Sequence, residues 1–120
     1  MKKHYLKKIF EPQSIAVVGA SERENSVGTQ VLRNIREGGF AGEIYPVNPK
    51  HETVQGLRAY ASVSEIDHPI DLVVIAISAH AIPAVMAECG EHGVGAAIVL
   101  SAGFAEIGKR GQALQNEIVD

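Results

Sequence analysis

The sequence has 120 residues, 46% of them hydrophobic and 21% charged, with a formal net charge of -3. That length holds one domain with a real core but not a ligand-binding domain beside a separate catalytic one, and so mild a charge argues against a chain built to grip nucleic-acid backbone. The apolar runs are too short to span a bilayer, and Lys2, Lys3, Lys7 and Lys8 surround too few apolar residues for a signal-peptide core, so a cytoplasmic protein is expected.

In chain order, Leu6, Ile9 and Phe10 at helical spacing predict a short amphipathic helix that stops at Glu11-Pro12. Ile15-Ala16-Val17-Val18 reads as a first strand. It leads through a glycine-bearing loop into a helix starting near Val27, whose apolar face is Val31, Leu32 and Ile35 and whose end is Gly38-Gly39. Ile44-Tyr45-Pro46-Val47 predicts a second strand, short or irregularly paired near its end because Pro46 lacks an N–H. The pattern weakens between His51 and Pro69, with a short strand at Arg58-Ala59-Tyr60 and a helical turn between Ser62 and Ile66. The continuous apolar run from Leu72 to Ile77, rich in β-branched residues, then has the character of a central parallel strand covered on both faces. Ile82, Val85, Met86 and Cys89 mark a helix with Pro83 in its first turn and Gly93 at its exit. Cys89, the single cysteine, has no internal disulfide partner and reads as a buried thiol rather than a nucleophile. A strand at Ala96-Ala97-Ile98-Val99-Leu100 and a last helix carrying Ala113, Leu114 and Ile118 complete the pattern. The abrupt end at Asp120 reads as a domain, residues 1–120, cut from a longer polypeptide.

Alternating strands and helices predict a doubly wound parallel sheet in a three-layer α/β/α domain, with the first strand beside the one at Leu72. The loops after the strand carboxyl ends then gather on one edge: Gly19, Ala20, Ser21 on to Ser26, Val27, Gly28; Asn48, Pro49, Lys50; Ile77, Ser78 with His80 at the rim; and Ser101, Ala102, Gly103. Glycine and a helix N-terminus suit a phosphate. A dinucleotide fingerprint would place glycine where Ser21 stands and an acid where the second strand ends in Asn48 and Lys50. A lysine there suits an extra ribose phosphate, either the 3'-phosphate of coenzyme A or the 2'-phosphate of NADP.

Five segments in order, SIAVVGAS (14–21), SVG (26–28), IYPVNPK (44–50), DLVVIAI (71–77) and SAGFAE (101–106), are similar to the N-terminal CoA-binding domain of the NDP-forming acyl-CoA synthetases, relatives of the succinyl-CoA synthetase alpha subunit. The resemblance covers nearly the whole chain and implies a Rossmann-like domain that holds coenzyme A or acyl-CoA. It implies that Gly19, Ala20, Ser21 and the 26–28 turn hold the nucleotide phosphates and that Lys50 pairs with the nucleotide part. Ile77, Ser78, Ser101, Ala102 and Gly103 would line the path of the pantetheine arm. The sequence departs from the family at Ser78 and Ala61, where proline is common.

The resemblance further implies a partnership with downstream phosphohistidine and ATP-grasp domains, in which the CoA thiol attacks an acyl phosphate, or alternatively with an acetyltransferase domain serving protein lysine acetylation. None of His4, His51, His68, His80 or His92 matches the family's phosphorylated histidine, so this chain is expected to bind rather than catalyse. An NADP-binding oxidoreductase domain is the reading from another class, opposed by the broken glycine fingerprint and the lack of a hydride-transfer residue.

Overall fold

Period-two alternation in the strands divides the interior of this domain into two separate clusters, one on each face of a sheet. The computed structural model describes residues 11–100. In chain order these form β1 (Ser14–Val18), α1 (Val27–Glu37), β2 (Glu43–Val47), a hairpin of β3 (Thr53–Val54) and β4 (Leu57–Arg58), a 3-10 turn (Val63–Glu65), β5 (Leu72–Ile75), a second 3-10 turn (Ala79–Ala81), α2 (Ile82–His92) and β6 (Ala96–Val99). The helices expected before Glu11 and after residue 101 lie outside the described residues.

The main sheet has the order β2-β1-β5-β6 and every pairing in it is parallel. The chain steps from β1 outward to β2, then returns across the sheet to β5 on the other side of β1. Right-handed crossovers in those two opposite directions must put their helices on opposite faces. Accordingly Ile15, Val17, Leu72 and Val74 pack with Leu32 of α1, while Ala16, Val18, Val73 and Ile75 pack with Ile82 and Cys89 of α2. This is the three-layer doubly wound arrangement expected, with the strand at Leu72 beside the first. All four residues of β5 are buried, because both of its faces are covered.

β2 is an edge strand, which is how the sheet accommodates Pro46. Val47 O accepts from Gly19 N (3.1 Å) on the inner side, whereas Pro46 O faces outward and accepts from Tyr60 N (2.9 Å). The missing N–H therefore falls on the side away from β1, and pairing with β1 stays in register through Val47. The crossover after β2 contains a hairpin where only a strand near Arg58 was expected. Gln55 and Gly56 form its two-residue loop with φ of 52° and 82°, the left-handed pair of a type I' turn. Val54 at its base is buried against the α1 side of the sheet. α1 stops where Gly38 N donates to Asn34 O (2.8 Å), and Gly93 closes α2 by donating to Cys89 O and Gly90 O.

Among the described residues no helix is long and apolar enough to cross a membrane.

Candidate functional site

At the carboxyl edge the chain continues one residue beyond β1 and β5 with its ladder intact: Gly19 N donates to Val47 O, and Ala76 N donates to Val18 O (2.8 Å). Gly19 and Ala76 are thereby held side by side. Gly19 has φ 92°, and a Cβ on it would overlap the Ala76 carbonyl oxygen, 2.9 Å from that carbonyl's carbon and 3.0 Å from Ile77 Cγ2. A Cβ on Gly28 would in turn overlap the Gly19 carbonyl oxygen and stand 2.6 Å from its carbon. The missing side chain at Gly28 thus allows the first turn of α1 to rest directly on the end of β1, and the one at Gly19 allows the ends of β1 and β5 to close together. Close helix-on-strand approach of this kind is what glycine supplies in a nucleotide-binding turn.

The loop between them is shaped by its own polar groups. Ser21 Oγ accepts from Arg23 N (2.9 Å), Thr29 Oγ1 donates to Arg23 O (2.7 Å), and Asn25 takes a left-handed φ of 64°. Ser26 is extended at the N-cap of α1, makes no side-chain capping bond, and is followed by no acidic residue in the first turn. The first N–H groups of α1 therefore lack an intrahelical partner and carry the positive end of the helix dipole uncompensated. Asn48 joins the two edges of the site: its Nδ2 donates to Ala20 O (2.9 Å) and its Oδ1 accepts from Lys50 N (2.8 Å). Those bonds fix where Lys50 leaves β2.

An open cleft of about 1210 Å³ runs along this edge. It brings together Gly19, Ser21, Ser26, Val27, Asn48, Pro49, Lys50, Ile77 and Ser78. Ala20 and Gly28 are buried behind it and do not line it. Ser101, Ala102 and Gly103 lie outside the described residues. The expected rim histidine is corrected: His51 borders the cleft and His80 does not, because the chain turns into the 3-10 element Ala79–Ala81 directly after Ser78 and carries His80 away to solvent.

Several lining residues escaped the sequence reading. Arg23 adds a second cation to Lys50, and its position inside the loop after a glycine was the available signal. Ser62, Val63, Val85 and Glu88 also line the cleft. Nothing local in the sequence marks Ser62 or Val63, since the crossover that carries them has no periodicity. Glu88 Oε1 accepts from Val63 N (2.7 Å), a tie from α2 to the crossover that spends this carboxylate on the backbone. Glu22 is spent likewise, accepting from Gln55 N (2.5 Å).

Cys89 is buried and unpaired, and burial first, with the Glu88 carboxylate second, pushes its thiol up to about 11. The expected burial of this thiol is observed. In the folded protein at pH 8, iodoacetamide should modify Cys89 at least tenfold more slowly than in the chain unfolded by guanidinium, since the thiolate is the reactive form. Equal rates by mass spectrometry would contradict this. Because the folded thiol has the raised pKa, its contribution to stability is complete below the unfolded value and falls as pH rises toward about 11.

Relatives are similar over nearly the whole chain. The chain is 41% identical over 113 residues to the ADP-forming acetate–CoA ligase of Methanocaldococcus jannaschii, covering 94% of this chain and 16% of that protein. It is 40% identical over 111 residues to the alpha subunit of ADP-forming acetate–CoA ligase II of Pyrococcus furiosus, covering 92% of this chain and 24% of the subunit. In structure it is similar to the dinucleotide forming acetyl-coenzyme A synthetase 1 of Ca. Korarchaeum cryptofilum, with a TM-score of 0.79, 38% identity, and coverage of 94% of this chain and 24% of that one. The chain thus spans between 16% and 24% of the length of these relatives. Residues 13–119 match the family described as a CoA binding domain: the chain belongs to that family and its cofactor is coenzyme A.

Proposed function

We propose that this chain is the coenzyme A-binding part of a cytoplasmic NDP-forming acyl-CoA synthetase, working with phosphohistidine and ATP-grasp domains of the same or a partner chain. The junction of β1 and α1 carries the reading: Gly28, without room for a Cβ, brings an uncapped helix end against Gly19 at the edge of an open cleft. Such a junction receives phosphate, with the first-turn N–H groups of α1 and the backbone about Ser21 and Ser26 as donors. Lys50 and Arg23 supply positive charge to the lining of the cleft. Ile77, Val63 and Val85 offer apolar lining, with Ser78, for the pantetheine arm. When bound, coenzyme A supplies the thiol nucleophile; the chain's own residues bind and orient it. Among the described residues no group of three or more His, Cys, Asp or Glu could hold a metal ion.

Isothermal titration with CoA, NADP and NAD tests the assignment. Binding of CoA alone is expected, and heat with NADP in the absence of heat with CoA would replace it with the oxidoreductase reading. Neither that reading nor the acetyltransferase one is favoured by the relatives, whose names are those of CoA ligases and synthetases.

Lys50 is tested separately. It is exposed, so a pair with the 3'-phosphate stays solvated and contributes about 1 kcal/mol, roughly fivefold in affinity. Lys50→Ala should weaken CoA by that factor and leave 3'-dephospho-CoA unchanged. Equal weakening of both ligands would remove Lys50 from that role.

A further inference from the structure

The tip of the β3–β4 hairpin is fastened to the loop after β1 more heavily than a two-residue turn requires. Gln55 N donates to Glu22 Oε2 (2.5 Å), and Gln55 Nε2 donates to both Ser21 O and Thr29 O (3.1 Å each). Its own carbonyl accepts from Arg36 Nη1 (2.6 Å). Ser21 and Glu22 belong to the cleft wall, Thr29 to the first turn of α1 and Arg36 to the last. One residue therefore spans the anion-facing loop and the full length of the helix behind it.

This is not what turn chemistry alone selects. The first position of a type I' turn favours Asn, Asp or Gly, because a longer side chain resists the left-handed backbone that Gln55 adopts at φ 52°. The contacts of its side-chain amide offset that resistance. The amide's orientation is fixed by its surroundings, since only the NH2 end can satisfy two carbonyl oxygens.

We propose that Gln55 is a positioning residue for the phosphates of the ligand: it latches the 21–26 loop and the first turn of α1 in one arrangement before the ligand arrives. Gln55 does not itself line the cleft. Its effect is to raise the fraction of molecules whose loop is ready to bind, and apparent affinity scales with that fraction. The inference rests on the reading of this loop as the phosphate cradle.

Gln55→Asn separates the latch from the hairpin. It creates the preferred Asn-Gly turn, so the hairpin is kept or strengthened, but its amide is one methylene short of the two carbonyls. In the 120-residue chain the expected result is a thermal midpoint at or above that of the unaltered protein. Hydrogen exchange of the amides in residues 21–29 should be faster while that of β1 and β5 is unchanged. The Kd for CoA should rise roughly tenfold, and that for 3'-dephospho-CoA by the same factor, because both carry the pyrophosphate. Unchanged exchange in 21–29 overturns the latch whether or not CoA binds. Faster exchange with an unchanged CoA Kd overturns its role in positioning. If the unaltered chain binds no CoA, the cradle itself is refuted, and the parent titration reveals that independently of the variant.

Discussion

Replacing Gly28 with alanine should destabilise the domain by about 2–3 kcal/mol, lowering its thermal midpoint by roughly 10–20 °C, and should abolish CoA binding at concentrations that saturate the unaltered protein. Two effects oppose each other at this position. Alanine inside a helix gains about 1 kcal/mol over glycine from its smaller loss of backbone freedom. Against that, the new methyl would overlap the Gly19 carbonyl oxygen, and main chain cannot rotate aside as the end of a side chain can. The helix must withdraw from β1. Withdrawal opens the cluster that Leu32 forms with Ile15 and Val17, and it also moves the first-turn N–H groups away from the cleft. Both readouts should therefore change together. A Gly28→Ala protein as stable as its parent, or one that keeps CoA affinity, would show that the helix and strand are not in the contact described. Gly90 provides the comparison: it also lies within a helix, but nothing stands within 4 Å of a Cβ there, so Gly90→Ala should show only the propensity gain.

The same contrast explains what could be read in the sequence. An apolar run rich in β-branched residues from Leu72 announces a strand covered on both faces, and from that the position of β5 beside β1, the switch point and the edge that carries the cleft all follow. Periodicity carries this information because it reflects burial summed over a whole element. Individual contacts leave no such trace. Gly28 was legible as a glycine in the turn from the first strand into a helix, but its face toward Gly19 depends on how closely α1 approaches, which no local pattern encodes. Asn48 was legible as polar and near the cleft, yet its amide is committed to Ala20 and Lys50. The hairpin was hidden for a different reason. Its strands are two residues each, too short for alternation, and Gln55 occupies the turn position where asparagine would have signalled it. Resemblance to the family pointed to several residues that line the cleft, but it could not distinguish His51, which borders the cleft, from His80, which a single 3-10 turn carries out of it.

Gly19→Val should be the more severe of the two glycine replacements. Two independent costs fall on one residue. The backbone at φ 92° excludes β-branched side chains, a cost of about 1–2 kcal/mol or more before any contact is counted. The side chain would also be driven into the Ala76 carbonyl and toward Ile77 Cγ2, forcing apart β1 and β5 at the central pair of the sheet. Gly39 isolates the first cost, since it has φ 84° and nothing stands within 4 Å of where a methyl group would sit, so Gly39→Ala should lose about 1 kcal/mol and leave CoA affinity intact. Gly19→Val should lose at least about 3 kcal/mol and all measurable CoA binding, because Gly19 N is also the bond that ties β1 to Val47 O and hence sets the distance from the phosphate loop to Lys50. Chemical denaturation with CoA titration of the two variants decides the matter. If Gly19→Val and Gly39→Ala behave alike, the crowding between Gly19 and Ala76 is not what shapes the cradle.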